Sequence, residues 1–238
     1  MDNLHLDQHI SQQFNADLED LKTQLLEMGG VVEKQIVDAV KAIENADGEL
    51  AERVIVVEDD VDAREVALDD NCTMVLARRQ PAASDLRMVL AVAKITRDLE
   101  RMGDEAQKIA KMAISLNEDG GAPRGYVELR HIGSLVQKMV NSTLDAFARF
   151  DVETALEVAK QDTRVDQEYK SAMREMATYM MEDPRSIGRV MNIMWALRAL
   201  ERIGDHARNI AEHTIYLVKG LDVRHTTVKE MERQLHES

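Results

Sequence analysis

Apolar residues recur along this chain every three or four positions, over long stretches that few Gly or Pro residues interrupt. That period is typical of an α-helix with one buried face. Two stretches show it most clearly, with apolar positions at Ile95, Leu99, Met102, Ala106, Ile109 and Ala113 and at Ala196, Leu200, Ile203, Ala207 and Ile210. The pattern predicts an all-α protein.

Breaks in the pattern are few and regularly placed. The short breaks stand at Asp47-Gly48, Pro81, Asp151 and Pro184. Segment 117–125, which contains three Gly and one Pro, is the one convincing loop. Asp47 and Asp151 are predicted N-caps, because an Asp side chain can accept hydrogen bonds from the free N–H groups of a helix start. The breaks predict three long helices, a loop and three more long helices.

The two halves of the chain resemble each other. Nine of fourteen positions in 97–110 are identical to those in 198–211, at an offset of 101. Upstream, nine of 31 positions in 32–62 match 136–166, at an offset of 104. The repeated unit is a three-helix hairpin of about 100 residues, present twice.

This repeat predicts two tandem, repeat-related antiparallel three-helix bundles with six long helices. We expect the first bundle in residues 1–117, a linker in 118–125 and the second bundle in 126–220. Residues 221–238 are expected to form a C-terminal tail.

The repeat preserves pairs of acidic residues four positions apart. They are Glu58/Asp62 and Glu100/Asp104 in one half, and Asp162/Asp166 and Glu201/Asp205 in the other. Like charges at this spacing weaken a helix, so a bound hard cation is a simple reason for keeping them. Antiparallel packing of the second and third helices of each half would bring two pairs face to face. Carboxylate ligands suit Mg²⁺, Mn²⁺, Ca²⁺ or iron, and two equivalent sites are expected.

These pairs lie away from the apolar stripes of their helices, so we expect open clusters on the surface. The alternative is ordinary solvated charge, with Glu100 paired to Arg97 or Arg101. Gly103 and Gly204 stand between the acids of each pair and predict a close approach by another backbone or an ion. His206 has the wrong spacing for a Glu-x-x-His ligand and is expected at the surface, and no other His shows ligand spacing.

Composition and motifs argue against several classes of protein function. The net charge is −14, from 30 basic and 44 acidic residues, which argues against a nucleic-acid binder. A single cysteine, Cys72, excludes an internal disulfide and fits a reducing compartment. The chain shows no signal peptide, no transmembrane segment and no catalytic motif, so we expect a cytoplasmic protein that is not an enzyme.

Several segments together resemble the PhoU family of phosphate-transport regulators. They are Glu-Arg-Met-Gly-Asp at 100–104, Glu-Arg-Ile-Gly-Asp at 201–205, Met28-Gly29-Gly30, Arg78-Arg79-Gln80-Pro81, the segment 144–149 and the segment 178–183. The resemblance implies two three-helix bundles in one chain and a homodimer. It also implies a cytoplasmic negative regulator of the phosphate-starvation response.

The resemblance further implies partners and ligands. The partners would be the ATPase subunit of the phosphate ABC importer and a sensor histidine kinase, so that the chain meets the membrane only through them. The metal would be Fe, Mn or Mg. Carried over to this chain, its ligands would be Glu58, Asp62, Glu100, Asp104, Asp162, Asp166, Glu201 and Asp205.

Two other functions compete with this adaptor role. A metal held by carboxylates could serve a phosphoester hydrolase of helical-bundle type. A purely structural scaffold would leave the acids solvated and without metal.

Overall fold

The computed structural model describes residues 12–122 and 124–237, and its described residues form helices and no strand. The six predicted long helices are confirmed, and the bounds are α1 (Gln12–Asn45), α2 (Gly48–Arg79), α3 (Ala83–Glu118), α4 (Tyr126–Arg149), α5 (Val152–Glu182), α6 (Ile187–Lys219) and a short α7 (Val228–Glu237). None of these helices is long and apolar enough to span a membrane. His5 and His9, which were given no ligand role, lie outside the described residues.

Local signals set the helix starts as predicted. The Asp47 carboxylate accepts a hydrogen bond from the Leu50 N–H at 2.9 Å, and Asp151 accepts one from the Thr154 N–H at 3.2 Å. Each bond satisfies a backbone donor that has no partner within the helix. Pro184 opens a short 3₁₀ turn that leads directly into α6.

One hydrophobic core runs through both halves. Helices α1, α2 and α3 pack on one another, as do α4, α5 and α6. The halves meet along α3 and α6, which lie against each other over much of their length, and α1 also packs on α4. Leu99 of α3 and Leu200 of α6 are fully buried. Burying such a side chain stabilises the fold by roughly 1.5–3 kcal/mol, so the two central helices carry much of the stability.

The loop between the bundles ends at Gly125, directly before α4. This residue has a φ of +105°, in the region that glycine tolerates best. It is buried, and a Cβ there would lie 2.7 Å from Cγ2 of Ile193 and 2.9 Å from Sδ of Met176. Gly125 therefore lets the start of α4 rest against α5 and α6.

The C-terminal segment contains a helix of its own. α7 packs on α5, where Met231 is buried and Lys160 pairs with Glu232 at 3.2 Å. The expected boundaries of bundles, linker and tail stay a prediction, since the shared core joins the helices of both halves.

We predict that Gly125→Ala lowers the free energy of unfolding by about 2 kcal/mol or more, because the new Cβ adds both backbone strain and overpacking. Urea denaturation of the purified protein measures this. Gly30→Ala is the matched control, since a Cβ at Gly30 of α1 meets nothing within 4 Å. That control is expected to keep the stability or raise it by up to ~1 kcal/mol. Equal losses in both variants would contradict the prediction.

Candidate metal centres

Four acidic residues meet between α2 and α3. Glu58 is only 5% exposed, Glu100 and Asp104 are partly exposed, and Asp62 is exposed. The other three carboxylates lie close enough to raise the pKa of Glu58 by repulsion, so the structure brings the two predicted pairs of this half together. The expectation of a fully open surface cluster is wrong for this half, because Glu58 is buried.

The burial of Glu58 follows from its position on α2. The buried apolar residues of this helix recur at spacings of three, four or seven, at Ala51, Val54, Val61, Leu68, Cys72 and Val75. Glu58 and Glu65 occupy positions of the same stripe, which faces α3. The sequence analysis did not single out Glu65, although an acidic residue at a core position of a helix indicates a candidate site.

Burial dominates the electrostatics of this cluster. It raises the pKa of Glu58 to about 7, and repulsion from Asp104 and Asp62 adds to the effect. A hydrogen bond of 2.6 Å from Nε2 of Gln35 to Oε2 of Glu58 opposes the rise. Burial is also the main cause of the raised pKa of Glu100, with Glu65 the next contributor.

Gly103 makes room for the buried carboxylate. A Cβ at this position would lie 2.9 Å from Oε2 and 3.0 Å from Oε1 of Glu58. The predicted close approach is therefore made by a side-chain carboxylate of α2. At Gly204 the nearest side-chain atom would be Cγ1 of Val165 at 3.6 Å, which is ordinary contact, so the prediction is wrong for the second half.

The second cluster lies between α5 and α6. Asp166, Glu201 and Asp205 each offer an oxygen, and these oxygens lie within 4.8 Å of one another. Glu201 is 9% exposed and Asp205 is exposed, so this cluster too is only partly open. Asp162 is buried beside it, and its Oδ2 accepts a hydrogen bond of 3.1 Å from Arg208. Burial is the main cause of the raised pKa of Asp162 and Glu201. The pKa of Asp205 is also raised, through partial desolvation of its carboxylate and repulsion from Asp166, although the residue as a whole is exposed.

The two clusters are not equivalent, in contrast to the expectation from the repeat. In the first, the one ion pair among the described residues joins Arg101 to Glu100 at 3.4 Å. In the second, the pairs are Arg198 to Glu201 at 2.8 Å, Arg208 to Asp162 at 3.1 Å and Lys170 to Asp166 at 3.7 Å. Some of the surface pairing that the solvated alternative predicts is therefore present. The first cluster keeps more uncompensated negative charge.

Comparison with known proteins identifies the family. The model of the PhoU domain matches residues 25–113 and 129–214 of this chain. The chain belongs to the PhoU family. A PhoU homologue of Pseudomonas aeruginosa, a phosphate-specific transport system accessory protein, is 60% identical over 97% of this chain and 95% of its own length. The accessory protein PhoU of Escherichia coli is 44% identical over 99% of this chain and 97% of its own length.

Solved PhoU structures show the same architecture. The crystal structure of PhoU from Pseudomonas aeruginosa aligns with a TM-score of 0.86 at 62% identity, over 87% of this chain and all of that chain. A phosphate transport system regulatory protein PhoU from Streptococcus pneumoniae aligns with a TM-score of 0.81 at 31% identity, over 87% of this chain and 98% of that chain. The two matched PhoU domains fall on the two predicted bundles.

The donor atoms of the second acidic cluster could hold a hard cation, since three of its oxygens lie within 4.8 Å of one another. Oε1 of Glu58, Oε1 of Gln35 and Oε2 of Glu201 are buried and have no hydrogen-bond partner among the described residues. Leaving such an oxygen unsatisfied costs about 1–3 kcal/mol, which a bound cation would remove. An all-oxygen donor set suits Mg²⁺, Mn²⁺ or iron.

A third polar group, which sequence reasoning missed, joins α3 to α6 in this PhoU fold. Asp98 is buried and accepts hydrogen bonds from His206 at 2.8 Å and Asn209 at 3.1 Å, while His213 lies 3.4 Å away. Burial raises the pKa of Asp98, but these contacts outweigh it, and the pKa lies below its ordinary value. The expectation of a surface His206 is wrong, since its side chain is 17% exposed and packs between the two halves.

The pKa of Glu58 predicts how the metal-free protein responds to pH. Between about pH 4.5 and 7, Glu58 stays protonated in the folded state while it ionises in the unfolded state. The contribution of Glu58 to the free energy of unfolding should therefore fall by about 3 kcal/mol as pH rises through this window, and level off above it. Urea denaturation of chelator-treated protein across pH measures the effect.

Glu58→Gln is the test variant, because Gln does not titrate. It should remove this contribution and be more stable than the wild type above pH 7. Glu52→Gln, at an exposed position of α2, should keep the wild-type profile. A Glu58→Gln profile that follows the wild type would contradict the raised pKa.

Proposed function

We propose that this protein is a cytoplasmic, non-catalytic regulator of phosphate uptake and a negative regulator of the phosphate-starvation response. It acts as a homodimeric adaptor between the ATPase subunit of the phosphate ABC importer and a sensor histidine kinase, and keeps the kinase inactive when phosphate is plentiful. The observation that carries this proposal is similarity over nearly the whole chain to phosphate-specific transport system accessory proteins.

An exposed apolar groove supports the adaptor role. It has a volume of about 280 Å³ and lies between α5 and α6, lined by Tyr169, Met173, Met191, Met194, Trp195 and Arg198. Trp195 is 58% exposed, although Trp is normally largely buried. Exposed Trp, Met and Arg side chains are the residue types that protein interfaces favour. We assign this groove to the docking of a partner protein.

The acidic clusters support a structural role for metal. Glu58, Asp62, Glu100 and Asp104 would hold one ion between α2 and α3, and Asp162, Asp166, Glu201 and Asp205 another between α5 and α6. A bound cation supplies positive charge that offsets the repulsion among these carboxylates. Each ion would thus fix two helices relative to each other, and the docking groove lies beside α5 and α6.

A gene deletion tests the regulatory role. A strain that lacks the gene should express phosphate-starvation genes in phosphate-rich medium, and a plasmid copy should restore repression. A transcriptional reporter of these genes gives the readout. Normal repression in the deletion strain would rule out the proposed function.

Trp195→Ala in the plasmid copy tests the docking groove. Removing an exposed Trp from an interface commonly weakens binding by about tenfold or more, so repression should be lost in part or in full. Val127→Ala is the control, because Val127 is 73% exposed on α4 and lies outside the groove. Protein levels must match by immunoblot. Full repression by Trp195→Ala would show that the groove is not the docking site.

Metal content tests the clusters. Protein purified without chelator or His-tag should retain Fe, Mn or Mg, measured by elemental mass spectrometry. Glu58→Gln/Glu100→Gln and Asp166→Asn/Glu201→Gln should each remove the metal of one cluster. Among the described residues, the second cluster is the one that brings three donor oxygens within 4.8 Å of one another, so the second double variant should lose the larger share.

Two matched variants control this experiment. Glu52→Gln/Asp70→Asn removes the same charge from exposed positions of α2 and should leave the metal content unchanged. Gly103→Ala displaces the Glu58 carboxylate without removing it and should lower the metal content, whereas Gly204→Ala should not. No metal above background in the wild type would leave the acids as solvated charge, and turnover of a phosphoester by metal-loaded protein would favour the hydrolase alternative.

A further inference from the structure

A large basic groove lies where α3 meets α6, beside the segment that follows α6. Its volume is about 860 Å³, and six of its thirteen lining residues are Lys or Arg: Lys94, Arg97, Arg101, Arg202, Arg208 and Arg224. Three are acidic, Asp98, Asp205 and Glu212. This concentration of positive charge stands out in a chain whose net charge is −14. Gathering like charges costs energy, which a bound anion offsets.

The basic residues of α3 are the ones least committed to the protein itself. Lys94, Arg97 and Arg101 are spaced by three and four positions and therefore share one face of the helix. Arg97 makes no hydrogen bond or ion pair within the described residues, and Lys94 contacts the Tyr216 ring at 5.5 Å. Arg101 is 46% exposed and pairs with Glu100 at 3.4 Å. These three side chains can turn their donors toward a ligand.

The other basic residues mainly shape the groove. Arg208 is held by Asp162 and Glu212, and Arg224 by Asp222. Their positions are thereby fixed at the edge of the space.

Asp98, which lines the groove, already has polar partners within the protein. Its Oδ1 accepts hydrogen bonds from His206 and Asn209, and its Oδ2 faces Nε2 of His213. Its oxygens are therefore not free to bind a cation in the groove. His206 and His213 also line the groove and add donor capacity to its wall.

The lining also limits the kind of ligand. Apart from the imidazole rings of His206, His213 and His225, none of the thirteen residues has an aromatic side chain, and none has a purely aliphatic one. A partner helix normally needs apolar side chains to pack against, which this lining does not offer. Guanidinium groups, in contrast, match the oxygens of phosphate groups in a two-pronged geometry. The excess of three basic over acidic residues favours a ligand with about three or more negative charges.

We propose that this groove binds a chain of phosphate groups, such as a short inorganic polyphosphate, which the Lys and Arg side chains of its lining would hold. A single orthophosphate carries too little charge and volume to use the three α3 cations together. A nucleoside triphosphate carries the same phosphate chain, and the experiment below separates the two sources. This proposal does not depend on the adaptor role or on the metal clusters.

Isothermal titration calorimetry of the full-length protein tests the proposal. Metal is removed first, since divalent cations bind polyphosphate themselves. Tripolyphosphate, ATP and orthophosphate are titrated separately into wild-type protein and into Lys94→Gln/Arg97→Gln/Arg101→Gln. We expect tripolyphosphate to bind at one site, and the triple variant to weaken it by about tenfold or more. The ratio of tripolyphosphate to ATP affinity identifies the preferred source of the phosphate chain.

Lys34→Gln/Lys138→Gln/Arg174→Gln is the matched control, because it removes three exposed positive charges outside the groove. It should keep the wild-type affinity for tripolyphosphate within about twofold, because screening limits long-range effects of surface charge. Circular dichroism checks that all variants keep their helix content, and single Arg97→Gln serves if the triple variant does not fold. The proposal is overturned by no binding of tripolyphosphate or ATP to the wild type, or by equal weakening in the control.

Discussion

The packing of α3 against α6 is the contact on which the rest of the molecule depends. Each of these helices is the central member of its own bundle and also the partner of the other. One face supplies buried apolar residues such as Leu99 and Leu200, a second faces the acidic helix of its own half, and a third meets the opposite half. Both clusters and the basic groove are therefore arranged around one pair of helices. A shift along this contact would move all three.

Buried carboxylates are the main electrostatic cost of this arrangement. Taking a carboxylate out of water is unfavourable unless a partner compensates it. The two halves solve the problem differently, since Glu58 has the neutral Gln35 and Asp162 has the cationic Arg208. Both halves keep carboxyl groups with a raised pKa and one unsatisfied carboxylate oxygen, at Glu58 and at Glu201, but the buried carboxylate of the second half has a counter-ion of its own. Similar sequence thus produces acidic clusters whose negative charge is compensated to different extents.

Local features could be predicted from the sequence, and contacts between distant residues could not. The caps at Asp47 and Asp151 depend on hydrogen bonds within three residues, so the helix starts could be predicted from the local sequence. The repeat alignment paired α2 with α3 and brought the acids of each half together. The contact of Asp98 with His206 joins residues 108 apart, and no periodicity within one helix indicates it. The position of Glu65 near the acidic cluster could have been predicted, but only from the apolar stripe of α2 on which it lies.

The repeat also explains why one fold carries two different surfaces. At the offset of 101, Lys94 corresponds to Trp195 and Arg97 to Arg198. The first pair of positions helps to line the basic groove, and the second helps to line the apolar groove between α5 and α6. Equivalent helix faces therefore present a charged surface in one half and an apolar one in the other. The acidic pairs, by contrast, stand at matching positions in both halves, between the second and third helices of each bundle. A duplicated framework keeps its internal constraints, while its exposed positions are free to specialise.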